Sequence, residues 1–124
     1  MSQRKKILVA DDDPAVSRMI SLELDDSQYE VISAGTGKET VAKVYQEHPD
    51  LLILDYQMPE GDGIYVMTKL KTALETFTIP VIIMTAYDST DLRQRAFRLS
   101  ADCVLAKPVA PGDLLKEIKK NLGQ

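Results

Sequence analysis

The sequence has no tryptophan, one histidine and one cysteine in 124 residues. A lone thiol, Cys103, cannot close an internal disulfide, so the fold must rest on its apolar core, and a reducing, cytoplasmic setting is expected. No N-terminal stretch joins a basic start, an apolar run and a small-residue cleavage site, so no secretory leader is expected. No apolar run approaches the ~20 residues that a bilayer crossing needs, which excludes a membrane-spanning protein. Basic residues are in deficit, 15 Lys+Arg against 19 Asp+Glu. That balance disfavours nucleic acid as a direct partner. What is present is ordinary: 44% hydrophobic and 27% charged residues, the proportions of a globular domain. At roughly 100 to 200 residues per domain, residues 1–124 are expected to form one domain.

Four short apolar runs, Lys6 to Ala10, Leu51 to Leu54, Val81 to Met84 and Cys103 to Ala106, read as parallel strands buried on both faces. Tyr29 to Ala34 alternates more and reads as an edge strand. Between them lie helical spacings. Asp13 before Pro14 marks an N-cap, followed by Val16, Met19, Ile20 and Leu24. Further helices are expected over Glu39 to Glu47 and Gly63 to Leu74, along Leu92, Ala96 and Leu99, and along Leu114, Leu115, Ile118 and Leu122. Five alternations of strand and helix predict right-handed crossovers and an open α/β sheet with helices on both faces.

The polar residues that follow the strands carry the chemistry. Asp11, Asp12 and Asp13 follow the first strand, Asp55 the third, Thr85 the fourth and Lys107 with Pro108 the fifth. All lie at the carboxyl edge, where open α/β sheets bind ligands. Any one of them could be only a wet strand end; as a set they point to a site. Clustered carboxylates repel unless a cation joins them, and hard oxygen donors in a small group suit Mg²⁺ better than a calcium cage or zinc. A cation, the Lys107 amine and the Thr85 hydroxyl aimed at one point would stabilise a transferring phosphoryl group, and a carboxylate could accept it as an acyl phosphate. Asp55, alone at the end of the central apolar run, is the best acceptor; Asp11 and Asp12 are better placed to share a metal.

The runs Ile7-Leu8-Val9-Ala10-Asp11-Asp12-Asp13, Leu54-Asp55-Tyr56-Gln57-Met58-Pro59 with Gly61-Asp62-Gly63, Met84-Thr85-Ala86, and Lys107-Pro108, in this order and spacing, resemble the receiver domain of two-component response regulators. The resemblance covers essentially the whole chain. It implies a flavodoxin-like three-layer sandwich with a five-stranded parallel sheet of order 2-1-3-4-5 and five helices. It implies a bacterial signalling phosphoacceptor, not a turnover enzyme. Asp55 would take the phosphoryl group from a sensor histidine kinase or phosphotransfer protein and lose it slowly by self-catalysis. By the same resemblance Asp11, Asp12, Asp55 and the Gln57 main-chain carbonyl hold Mg²⁺, Thr85 and Lys107 contact phosphoryl oxygens, and the Lys107–Pro108 bond is cis. The first helix would meet the kinase. The fourth helix, fifth strand and fifth helix would rearrange on phosphorylation and serve a downstream effector or a phosphorylation-dependent homodimer. Any effector domain is expected beyond Gln124.

Three positions depart from the family pattern: Val104 stands where an aromatic switch residue is usual, Val109 where phenylalanine is common, and Ser100 where glycine is common. The positions two after the aspartate and two after the threonine, Gln57 and Tyr87, flank the expected path of hydrolytic water, and bulky Tyr87 is expected to shield the acyl phosphate. A haloacid-dehalogenase-like phosphatase is the nearest rival, but its nucleophile run breaks here at Pro14 and Ala15. A degenerate receiver acting only as a binding module is disfavoured by the full set of acids, Thr85 and Lys107. Gly35-Thr36-Gly37-Lys38 resembles a phosphate loop but is followed by Glu39, and lacks the first glycine. A flavin phosphate would face Asp11 to Asp13 with like charge. His48, at a helix end, and Cys103, in a strand, read as a solvated side chain and a small apolar one.

Overall fold

The computed structural model describes residues 4–124. In chain order the elements are β1 (Lys5–Ala10), α1 (Pro14–Glu23), β2 (Tyr29–Ala34), α2 (Gly37–Glu47), β3 (Leu51–Asp55), α3 (Gly63–Lys71), β4 (Val81–Thr85), α4 (Thr90–Arg98), β5 (Cys103–Ala106) and α5 (Pro111–Asn121). The five strands form one parallel sheet in the order β2-β1-β3-β4-β5, as expected. Parallel neighbours force a crossover after every strand, and the helices fill those crossovers.

Every residue of β3 and β4 is buried, because side chains on both faces of a covered parallel sheet leave water. The core divides accordingly. Leu8, Leu52, Leu54 and Ile83 pack on one face with Val44, Val66, Met67, Leu70 and Ala96. Ile7, Val9, Ile53 and Ile82 pack on the other with Ile20, Leu24, Leu114 and Ile118. Burying each such aliphatic side chain is worth roughly 1.5–3 kcal/mol.

Local signals set most helix starts. Asp13, Thr36, Asp62 and Ser89 each accept a first-turn N–H, and Pro14 occupies the first turn of α1. The structure corrects the sequence reading in three places. Helix α2 begins at Gly37, two residues before the expected Glu39, because Thr36 caps it through the Glu39 amide. Helix α3 ends at Lys71 rather than Leu74, and Leu74 is 90% exposed. Two of the last helical carbonyls are taken by side chains, the Thr72 hydroxyl bonding that of Thr68 at 2.6 Å and the Thr76 hydroxyl that of Leu70 at 2.6 Å, while the Lys71 amine holds the segment beyond the helix through the carbonyls of Phe77 and Ile79. Strand β5, expected to be buried on both faces, is an edge with no fully buried residue.

Candidate functional site

The sheet's register builds the site one residue at a time. Ala10 lies opposite Leu54, so Asp11 and Asp55 emerge level with each other. Asp55 lies opposite Met84 and Thr85 opposite Ala106, so Thr85 and then Lys107 follow around the same edge. Side chains far apart in sequence meet because their strands end together.

The Lys107 amine lies 2.7 Å from Asp11 Oδ2 and 3.3 Å from Asp55 Oδ2. One carboxylate oxygen from each of Asp11, Asp12 and Asp55 falls within a group no wider than 4.8 Å. Asp11 and Asp55 are buried and Asp12 is exposed. The second oxygen of Asp11 accepts the Asp13 amide at 2.9 Å, which fixes the carboxylate, whereas Asp55 Oδ1 receives only a long 3.4 Å bond from the Gln57 amide. Asp55 is therefore the less satisfied carboxylate of the pair. Burial first, and then the charge of Asp11, push its carboxyl above the usual carboxylate range against the opposing pull of Lys107. Burial alone would lower the Lys107 amine, but its bonds to Asp11 and Asp55 outweigh that and hold it above its ordinary value. Thr85 is buried, and its Oγ1 accepts the Tyr87 amide at 3.0 Å, which leaves the hydroxyl proton for another acceptor. Lys107 is tied to Thr85 through the backbone, its amide donating to the Thr85 carbonyl at 2.7 Å.

Three carboxylates against one amine leave a deficit of positive charge in a partly buried site. Closely grouped hard oxygens of this kind fit a divalent ion such as Mg²⁺. Asp13 stands apart from the cluster: it caps α1, accepting the Ala15 amide at 3.0 Å. Gln57 is exposed on the loop that joins β3 to α3.

The family model described as a response regulator receiver domain matches residues 7–119. The chain belongs to the response regulator receiver family. Among curated relatives of the receiver, the alkaline phosphatase synthesis transcriptional regulatory protein PhoP of Bacillus subtilis is 34% identical over 115 residues, covering 93% of this chain and 47% of that protein. The chain spans about half the length of the curated relatives it matches. Two solved structures share the receiver fold closely. A CheY-like response regulator receiver domain protein from Methanospirillum hungatei has a TM-score of 0.89 at 31% identity, over 98% of this chain and 95% of that one. The chemotaxis protein CheY4 of Vibrio cholerae has a TM-score of 0.89 at 29% identity, over 97% and 100%.

The departures from the receiver pattern have visible local effects. Ser100 adopts the left-handed backbone (φ 67°) that glycine takes without strain. Val104 packs, half-buried, against the core on one face of the sheet, and Val109 against the core on the other. Tyr87 is 70% exposed, so most of its ring faces water at the rim of the site. The Lys107–Pro108 bond is cis. One feature escaped the sequence reading: Gly37, set aside there with an incomplete phosphate loop, is buried against the β3–α3 loop. No periodicity signals that contact, because it joins the first residue of α2 to a loop distant in sequence.

Proposed function

We propose that this receiver is a phosphoacceptor in which Asp55 takes a phosphoryl group from a phosphohistidine of a sensor histidine kinase or phosphotransfer protein, in a cytoplasmic two-component pathway. The carboxylate oxygen of Asp55 attacks phosphorus, the P–N bond to the imidazole breaks, and a P–O bond to Asp55 forms. The leaving imidazole keeps the bonding pair and takes a proton from solvent. The observation that carries the reading is the position of the Lys107 amine, 2.7 Å from Asp11 and 3.3 Å from Asp55, at the edge where Thr85 also ends its strand.

Mg²⁺, held by Asp11, Asp12, Asp55 and the Gln57 carbonyl, would supply positive charge opposite the phosphoryl oxygens. The chain's own groups do the remaining work. Lys107 exchanges part of its carboxylate bonding for a phosphoryl oxygen, and Thr85 donates its free hydroxyl proton to another. Asp11, held by the Asp13 amide, keeps its carboxylate aimed while Asp55 reacts. The added charge of roughly −2 then favours whichever arrangement of Thr85, Lys107 and the thinly covered β5 binds it better. A change on the α4, β5 and α5 surface, read by an effector or a second copy, follows from that bias. Loss of the phosphoryl group to water by self-catalysis resets the chain; it is a signalling acceptor, not a turnover enzyme.

Intact-mass measurement after treatment with a small-molecule phosphodonor tests the reading. One added phosphoryl group in the parent with Mg²⁺, none in chelator and none in Asp55→Asn are expected. Repeated turnover of a phosphate ester without labelling would instead support the phosphatase alternative.

A further inference from the structure

The first N–H groups of a helix need partners from outside it. In α2, the Glu39 amide is taken by the Thr36 hydroxyl at 3.0 Å and the Thr40 amide by the Thr36 carbonyl at 2.9 Å. The other two reach across to a different part of the chain. The Gly37 amide donates to the Pro59 carbonyl at 3.1 Å and the Lys38 amide to the Glu60 carbonyl at 3.0 Å. These carbonyls belong to the β3–α3 loop that follows Asp55 and carries Gln57. Glu60 and Gly61 both hold positive φ, 53° and 115°, a turn in the left-handed region. The same loop is fixed at its other ends: the Tyr56 amide donates to the Met84 carbonyl, and the Gly63 amide to the Tyr56 carbonyl.

The approach is too close for a side chain. A Cβ at position 37 would overlap the Gly61 carbonyl oxygen and lie 2.5 Å from its carbon, with only backbone to displace. Space at Gly37 is thus what lets the two amides reach their carbonyls. We propose that Gly37, at the N-terminus of α2, is a positioning residue for the metal site: it seats the 56–62 loop so that the Gln57 carbonyl stands beside the carboxylates of Asp11, Asp12 and Asp55. The proposal rests on the phosphoacceptor reading and adds α2 to it as a support. Coupling is reciprocal, so binding at the site should in turn tighten the contacts at Gly37 and Lys38.

Calorimetric titration with MgCl₂ tests this on the parent, Gly37→Ala and Gly112→Ala, the last having nothing within 4 Å of an added Cβ. Supporting groups of this kind change metal affinity by about 10–100-fold; a loss of about tenfold is expected in Gly37→Ala and none in Gly112→Ala. Amide hydrogen exchange of the parent supplies the arm that needs no folded variant: slower exchange at Gly37 and Lys38 on adding Mg²⁺ is expected. A folded Gly37→Ala that binds Mg²⁺ as the parent does, or exchange at Gly37 and Lys38 that ignores Mg²⁺, overturns the proposal while leaving the metal reading standing. A parent that binds no Mg²⁺ overturns both.

Discussion

Two parts of one sheet are built to different standards. At its centre, β3 and β4 are buried along their whole length and end in Asp55 and Thr85, while at its edge β5 has no fully buried residue and leads into Lys107. Under the proposed function, the centre fixes the acceptor and the edge carries the amine that responds to it. Nearby, α4 exposes Phe97, and Arg93 pairs with Asp88 at 2.8 Å in solvent, a pair of little energetic weight. A charge placed at Asp55 would meet little resistance on the β5 side and much on the β3 side, because densely packed cores do not yield gradually.

The largest expected effect tests that contrast directly. Ile53→Ala, at a fully buried site, should cost roughly 2–5 kcal/mol in urea unfolding, whereas Val104→Ala on half-buried β5 should cost clearly less. Equal losses would erase the distinction. Next, a divalent ion bound only by the folded state should stabilise it by about 2.7 kcal/mol at a hundredfold excess over its dissociation constant. Asp11→Asn should abolish most of the gain seen with Mg²⁺ in thermal melts, and Ile53→Ala none of it.

The buried centre was legible in the sequence; the thin cover of β5 was not. The unbroken apolar runs ending in Asp55 and Thr85 set both the parallel sheet and the convergence of acids, hydroxyl and amine, because a covered parallel strand needs apolar residues on both faces and its polar end must face the crevice. Other features depended on contacts between segments. Leu74 continues the helical spacing of α3, but the hydroxyls of Thr72 and Thr76 take the carbonyls of Thr68 and Leu70, and the helix ends first. The apolar run of β5 does not reveal that its position at the sheet edge leaves it thinly covered. The closer approach of Lys107 to Asp11 than to Asp55 is set by side-chain geometry that spacing does not encode.

Acid titration sharpens the comparison at the site. Burial and Asp11 raise the Asp55 carboxyl above its ordinary value of 3.8, so the folded chain keeps that proton to higher pH than the unfolded chain. Between the two values the folded state binds more protons, and the Asp55 contribution to metal-free stability falls as pH rises through that window. Asp55→Asn should lack this fall when urea midpoints are compared in chelator. The smallest effect is expected on the β5 side: Ser100→Gly relieves a left-handed backbone and should raise stability by roughly 0.5–1 kcal/mol. A loss would mean that the serine side chain supplies something there beyond its backbone strain.

The central claim is that one buried carboxylate, beside a lysine and two further acids, carries the phosphoryl group. Borohydride reduction of the phosphorylated chain, followed by peptide mass mapping, reads this directly, since an aspartyl phosphate is reduced to homoserine. Homoserine at position 55 alone is the predicted result; homoserine at position 11, 12 or 13, or a stable phosphate on another side chain with position 55 unchanged, would contradict the account.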